Sequence, residues 1–427
     1  MAIGDIIVSL DIGASKTAAV VGQVNKFSEI EVIGYGLSDS SGITKGRIID
    51  KNKVADSIVK AITEAEETSG LYINSSYINI KGMNVRVEKV KCRGKVAKPD
   101  DGLSINDVYS LFEQIQSGIR INDDEQIIDL IPYKYIVNDR EYKEEPIGAF
   151  AKEFGVDLDI VIANGEYLRD VVEVLNMAEL KIDGLIIETL ATSNVVLMPE
   201  EKEMGVLMLD MGASHTDISV YKGSRLEFYE TLPIGGNHIT NDIAMTLGIS
   251  QEEAERLKRQ YNLAIEAMIS NNHEIKLNTL KTANVEDSKI KCSDIVKIIE
   301  ARIKEVYQII RKVLADNNMT GKYDCLVLTG QGISNMVGAE ELAVLTLKIG
   351  QVRICSPKLI NVIKPQHTVA FGMVKHISGI GLSKHVNSDV EIITEPGFKQ
   401  KISDFFKDTK DKFKDLLKKD KEEDIEF

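Results

Sequence analysis

The chain has 427 residues, 43% of them apolar, and a formal charge of −14; that length predicts several domains or subdomains, and the acidic balance argues against a whole-protein nucleic-acid footprint. Its four cysteines (Cys92, Cys292, Cys325, Cys355) lack CxxC spacing, which suggests neither a zinc site nor a disulfide framework and fits a reducing cytoplasm. No apolar run of eighteen residues and no basic leader is present, so the sequence predicts neither a membrane span nor a signal peptide.

In chain order, the first predicted unit is strand, tight turn, strand: Ile6 to Leu10, then DIGASKT at residues 11–17, then Ala18 to Gly22. The same unit returns at Val206 to Leu209, DMGASHT at 210–216 and Ile218 to Tyr221, matching the first turn at five of seven positions. The repeat predicts two similar halves. Helical periodicity over Lys53–Thr68, Gly165–Ala178, Gln251–Tyr261 and Cys292–Leu314 alternates with strand-like runs, which is an α/β pattern. Residues 83–162 break that rhythm, with one helical stretch near Ile105–Ser117, and read as an inserted small α+β subdomain. A polar linker is expected at 381–397, ending at Pro396 and Gly397, before a sharp change of composition.

Small residues in a turn let backbone N–H groups approach an anion closely, so the duplicated turns suit phosphates. An Asp at the end of each first strand, Asp11 and Asp210, would hold a hydrated Mg²⁺ between the halves. One copy alone reads better as a plain strand-ending turn; the repetition favours the ligand. Gly235 and Gly236, before a helix beginning near Ile239, and Gly330 and Gly332, after the strand Cys325–Leu328, bring further backbone to the same cleft. Glu255 and Lys258 lie three apart on one helix face, placed to meet ribose hydroxyls and an adenine edge or simply to pair with each other. There is no Walker loop, and no GxGxxG follows the first strand.

The motifs in order are DIGASK at 11–16, IETLA at 187–191, LDMGA at 209–213, Gly235–Gly236 with Glu255 and Lys258, LTGQG at 328–332 and TVAFG at 368–372. Together they resemble the actin superfamily. The runs at 34–46, 131–135 and 235–244 are similar to the FtsA family of bacterial cell-division proteins within it, and the likeness covers about Ile7 to Leu417. It implies duplicated actin-like (ribonuclease H-like) domains: subdomain 1A from 1–82, 163–202 and 366–380; 1C from 83–162; 2A from 203–235 and 320–365; and 2B from 236–319. It implies ATP or ADP with Mg²⁺ bound by Asp11, Gly13, Ala14, Ser15, Lys16, Asp210, Gly212, Ala213, Ser214, Gly235, Gly236, Glu255, Lys258, Gly330 and Gly332. Glu188 would orient an attacking water, and any turnover would be weak. The resemblance further implies filament formation, later division proteins as partners, and a 2B surface for the C-terminal tail of FtsZ that includes Lys297, Arg302 and Lys304. Departures are Ser214 and His215, where relatives commonly place Thr after the glycines, and Gln331, which interrupts the glycines that relatives usually carry as a pair.

The last predicted element is an amphipathic helix over 398–419. Phe398, Ile402, Phe405, Phe406, Phe413, Leu416 and Leu417 recur at helical spacing, and eight Lys against four Asp give the segment a net charge of +4. Such a helix lies in the headgroup plane of an anionic membrane, and the family resemblance sets it on the cytoplasmic face at the division site. A pilus-assembly relative and a sugar kinase are the alternatives. The first lacks this helix, and no run marks the carboxylate base that the second needs.

Overall fold

Aliphatic and β-branched runs without helical period, such as IIVSLDI at Ile6–Ile12 and VLMLDM at Val206–Met211, are buried almost throughout. That is the pattern of central strands covered on both faces. The computed structural model describes residues 4–380 apart from residues 28, 45, 224, 278–288 and 356–364. The linker expected at 381–397 and the helix expected at 398–419, with its apolar stripe, lie outside the described residues.

Each half is built on one five-stranded sheet. In the first, the spatial order is Lys181–Ile187, Ser75–Ile80, Ile6–Ile12, Lys16–Val24, Ile30–Asp39. In the second it is Gln351–Ile354, Cys325–Thr329, Val206–Met211, Thr216–Lys222, Arg225–Leu232. The strand senses agree as well: three antiparallel strands in sequence, then two parallel strands added beside the first. The repeat seen in the turns is therefore a repeat of ribonuclease H-like topology.

Helix Lys51–Ser69 begins where the Asp50 carboxylate accepts from Lys53 N and stops at Gly70 in the left-handed region. It buries Val54, Ile58, Ala61 and Ala65 on the first sheet. The opposite face is covered from far along the chain: helix Thr368–Ile380 sets Ala370, Met373, Val374 and Ile377 against Ile7, Val20, Tyr77 and Ile186. Ser9 Oγ donates to the Ala370 carbonyl at 2.7 Å at that contact.

The insert is an antiparallel sheet in the order Val85–Lys95, Glu153–Asn164, Glu125–Val137, Arg140–Tyr142. Helix Ile105–Gly118, started by a Ser104–Asp107 capping box, closes its core with Val108, Leu111, Phe112 and Ile115. Arg225 joins the insert to the second half, its guanidinium 3.1 Å from Asp159 and 3.5 Å from the centre of the Tyr133 ring. In the second half, helix Cys292–Asp316 buries Ile295, Ile299, Ile303, Val306, Ile310 and Leu314, one stripe at helical spacing. No described helix is long and apolar enough to cross a membrane.

Candidate functional site

The first strand of each half ends in a hairpin too short for ordinary side chains to fill. Gly13 N donates to Lys16 O and Gly212 N to His215 O, both at 2.9 Å. The two hairpins face one cleft of about 1260 Å³ between the halves, room for a nucleotide and its hydration. Gly13, Ala14, Ser15 and Lys16 line one side, and Gly212, Ala213, Ser214 and His215 the other. Gly236 opens helix Gly236–Leu247, three residues earlier than the apolar period indicates, and its amide donates to Gly212 O at 2.9 Å, which ties the helix start to the second turn. Gly330, Gln331 and Gly332 complete the wall. Gly330 has φ +87°, and a β-carbon there would stand 2.3 Å from Asp210 Oδ1.

Gly235 is the correction to the sequence-based set. It lies behind the wall, where a β-carbon would meet Gly212 O and His215 N, each at 2.7 Å. Its lack of a side chain lets the two backbone segments pack, which places Gly236 rather than Gly235 at the cleft.

Glu255 and Lys258 form a small network. Lys258 Nζ lies 2.6 Å from Glu255 Oε2 and donates to Gly236 O at 3.0 Å and Thr240 Oγ1 at 2.8 Å, while Thr240 donates to Glu255 at 2.6 Å. Lys258 thus ties helix Gln251–Gln260 to the glycine wall, and Glu255 remains on the cleft surface.

At the floor, carboxylates converge from separate elements. Asp11 ends its strand, Asp210 and Asp217 are cross-strand partners in one hairpin, and Glu188 is the first residue of helix Glu188–Val196. Lys81 Nζ sits 3.0 Å from Asp11 Oδ1 and 2.7 Å from Glu188 Oε2. Asn79 donates to Asp11 at 2.8 Å and accepts from Ile12 N at 2.9 Å. Thr192 Oγ1 donates to Asp210 Oδ2 at 3.3 Å, and Thr231 Oγ1 to Asp217 Oδ1 at 2.5 Å. One ligand atom each from Glu188, His215 and Asp217 falls within 4.8 Å of the others.

The charges are unevenly served. Burial, then repulsion from Glu188 and Asp217, pushes the Asp210 carboxyl up to about 8. Burial raises Asp11 and Asp217 as well. Burial alone would raise Glu188 too, but the Lys81 charge, followed by His215, holds it below the usual range. Burial brings Lys16 down to about 8. Asp210 is therefore a carboxylate short of a cation, while Asp11 and Glu188 already share one. An oxygen ligand set with that deficit suits a hydrated hard dication on the Asp210 side.

Lys81, Asn79, Asp217, Thr192 and Thr240 were absent from the sequence-based set. Asn79 and Lys81 end an apolar run, YINIKG at 77–82, at the C-terminal edge of a parallel strand where ligands of α/β sheets bind. Asp217 is a charged residue inside an otherwise buried strand.

On the second half, Lys304 is exposed, Lys297 pairs with Glu266 at 3.2 Å, and Arg302 is engaged within the fold. Arg302 donates to both oxygens of Asp242, at 2.5 and 2.8 Å, and to Glu305 at 2.6 Å.

Comparison with known proteins follows the same division of the chain. The family model described as cell division protein FtsA matches residues 207–372, and that of the SHS2 domain inserted in FtsA matches residues 85–162. The cell division protein FtsA of Borreliella burgdorferi is 30% identical over 372 residues, spanning 85% of this chain and 87% of its own. The chain belongs to the FtsA family. That membership decides against the pilus-assembly and sugar-kinase alternatives. Two solved structures share the fold: a PilM–PilN type IV pilus biogenesis complex, with TM-score 0.61, 18% identity and coverage of 87% of this chain and 98% of that one; and MreB5 of Spiroplasma citri bound to ADP, with TM-score 0.55, 11% identity and coverage of 88% and 97%. The architecture of this FtsA-family chain is accordingly actin-like with an SHS2 insert.

Proposed function

We propose that this FtsA-family chain is an adenine-nucleotide-dependent membrane tether for FtsZ, working at the cytoplasmic face of the membrane at the division site. The cleft carries the reading: two backbone-lined phosphate turns, related by duplication, face each other across a ring of carboxylates. ATP or ADP would lie with its phosphates between the turns at Gly13–Lys16 and Gly212–Ser214, and its sugar toward Glu255 and Lys258. Mg²⁺ would be held through water by Asp210, with Asp11 across the cleft, and would screen the phosphate charge. Glu188 faces the same floor and is the candidate for orienting water. Its ionised carboxylate is committed to Lys81, which favours slow turnover.

Nucleotide binding sets the relation of the two halves, since each supplies one turn, and thereby supports assembly of copies into a filament. The FtsZ tail would dock on the helix Cys292–Asp316 side of the second half, where Lys304 is exposed. The insert would contact a neighbouring copy or later division proteins. Residues 398–419 would anchor the assembly by their apolar stripe, each buried large side chain contributing roughly 1.5–3 kcal/mol and each Lys near anionic lipid about 1 kcal/mol.

Vesicle pelleting of the purified chain, with and without FtsZ and with and without ATP, tests the reading. Anionic vesicles should carry down the chain, and FtsZ only through it. A chain lacking residues 398–427, or one with Phe405 and Phe406 changed to Glu, should stay in the supernatant. Equal pelleting by the truncated chain would overturn the anchor.

A further inference from the structure

Lys81 has no part in the nucleotide contacts described so far, yet its ammonium sits between two of the carboxylates that line the cleft. It follows directly after strand Ser75–Ile80, and its side chain is 11% exposed while still reaching the cleft wall. The carboxylates it joins come from different elements, Asp11 from the first strand and Glu188 from the helix Glu188–Val196. Asn79, two residues earlier, braces the same Asp11 oxygen. The amine is thus held from two sides. Two carboxylate oxygens within 3.0 Å of Nζ favour its charged form.

A nucleoside triphosphate entering this cleft is repelled by ionised carboxylates of its lining, which includes Asp11, Glu188 and Asp210. Something must offset that repulsion, and a dication ordinarily does so. Here part of the offset is built into the chain. We propose that Lys81 is a fixed internal cation of the nucleotide site, supplying on the Asp11–Glu188 side charge that bound Mg²⁺ would otherwise supply, so that nucleotide affinity survives removal of the metal. A preorganised charge in a partly dry site acts without reorganisation when the phosphates arrive. Mg²⁺ would then serve the Asp210 side alone.

This inference rests on the nucleotide-binding reading, and the test separates the two. AMPPNP affinity of the full chain is measured by calorimetry in excess Mg²⁺ and in excess EDTA. The wild-type chain should lose no more than about tenfold on chelation, whereas Lys81→Met should lose about a hundredfold or more, because one unit charge near the phosphates is gone. In Mg²⁺ the variant should bind within about tenfold of wild type. A purely structural ion pair would lower the melting temperature of Lys81→Met and leave the ratio of the two affinities as in wild type; that result overturns the proposal. So does wild-type binding that disappears in EDTA. If Lys81→Met does not fold, Lys81→Arg keeps the charge and should keep the wild-type ratio, and a collapse of that ratio in the folded variant also counts against the fixed cation. Absence of AMPPNP binding by wild type in Mg²⁺ overturns the nucleotide reading and this inference together.

Discussion

Gly372 lies so close to Ala191 that a β-carbon on it would stand 2.1 Å from the Ala191 carbonyl oxygen. The two residues mark the crossing of helix Thr368–Ile380 with helix Glu188–Val196, whose first residue is the cleft carboxylate Glu188. Backbone carbonyl cannot yield as a flexible side chain can. Gly372→Ala should therefore destabilise the chain by about 1–3 kcal/mol, the usual cost of overpacking, and weaken nucleotide binding by displacing Glu188. Gly379, on the same helix, has nothing within 4 Å of a built β-carbon. Gly379→Ala should be neutral or stabilising by up to about 1 kcal/mol. Urea denaturation of the two variants checks the contrast, and equal effects would show that the crossing is not under this constraint.

Lys16 gives the cleft a pH dependence with a definite sign. Burial brings its ammonium down to about 8, with Asp11 opposing and Lys81 reinforcing the shift. The folded state thus disfavours the charged form: the cost to the empty chain is full below pH 8 and disappears as pH rises from about 8 to the ordinary lysine value of 10.5. A bound phosphate reverses the preference. Nucleotide binding near pH 8 should take up a proton, and affinity should fall as pH passes from 7 to 9. Calorimetry in two buffers of different ionisation enthalpy reads the uptake, which Lys16→Met should abolish.

What the sequence made legible, and what it did not, follows from how local each feature is. The duplicated turns could be read because so tight a hairpin demands small residues in consecutive positions, and two copies of DxGAS left the same trace. The start of helix Gly236–Leu247 was set late because glycines carry no apolar period. Gly235 and Gly236 look alike in the sequence, and only the approach of Gly212 O separates them. Lys81 and Asn79 escaped because their partners Asp11 and Glu188 are remote along the chain, so no spacing rule connects them. Arg302 was legible as a cation, but its bond to Asp242 on another helix was not.

Asp210 should show a trade between stability and function. Its carboxyl is raised to about 8 by burial and by Glu188 and Asp217. The stability it contributes is complete below the ordinary value of 3.8 and is lost as pH rises through about 8. Asp210→Asn removes the repulsion, so the empty variant should melt higher than wild type at pH 8 or above. It should also lose the additional affinity that Mg²⁺ confers on nucleotide, since the carboxylate facing the metal is gone. Melting curves and calorimetric titrations with and without Mg²⁺ measure both sides. Unchanged Mg²⁺-dependent binding would remove Asp210 from the site.

The surface proposed for the FtsZ tail makes a sharper prediction now that the partners of its cations are known. Arg302 is held by both oxygens of Asp242 and by Glu305, and its side chain is 25% exposed. Lys304 is exposed on the same helix. An acidic peptide must therefore share Arg302 with Asp242 but meets Lys304 directly. Lys304→Glu should weaken binding of a fluorescein-labelled FtsZ tail peptide while leaving the melting temperature unchanged, and the loss should shrink at high salt because the contact is exposed. Arg302→Glu should act on both, costing about 1 kcal/mol of stability as the Asp242 pair is lost and like charges are set side by side. Arg302→Lys should retain most of the peptide affinity but not the two-bond geometry with Asp242, so its effect should appear mainly in stability. Fluorescence anisotropy and thermal melts on the three variants separate the contributions. If peptide affinity is unmoved by both charge reversals, the tail docks elsewhere, and the helix Cys292–Asp316 has only its packing role.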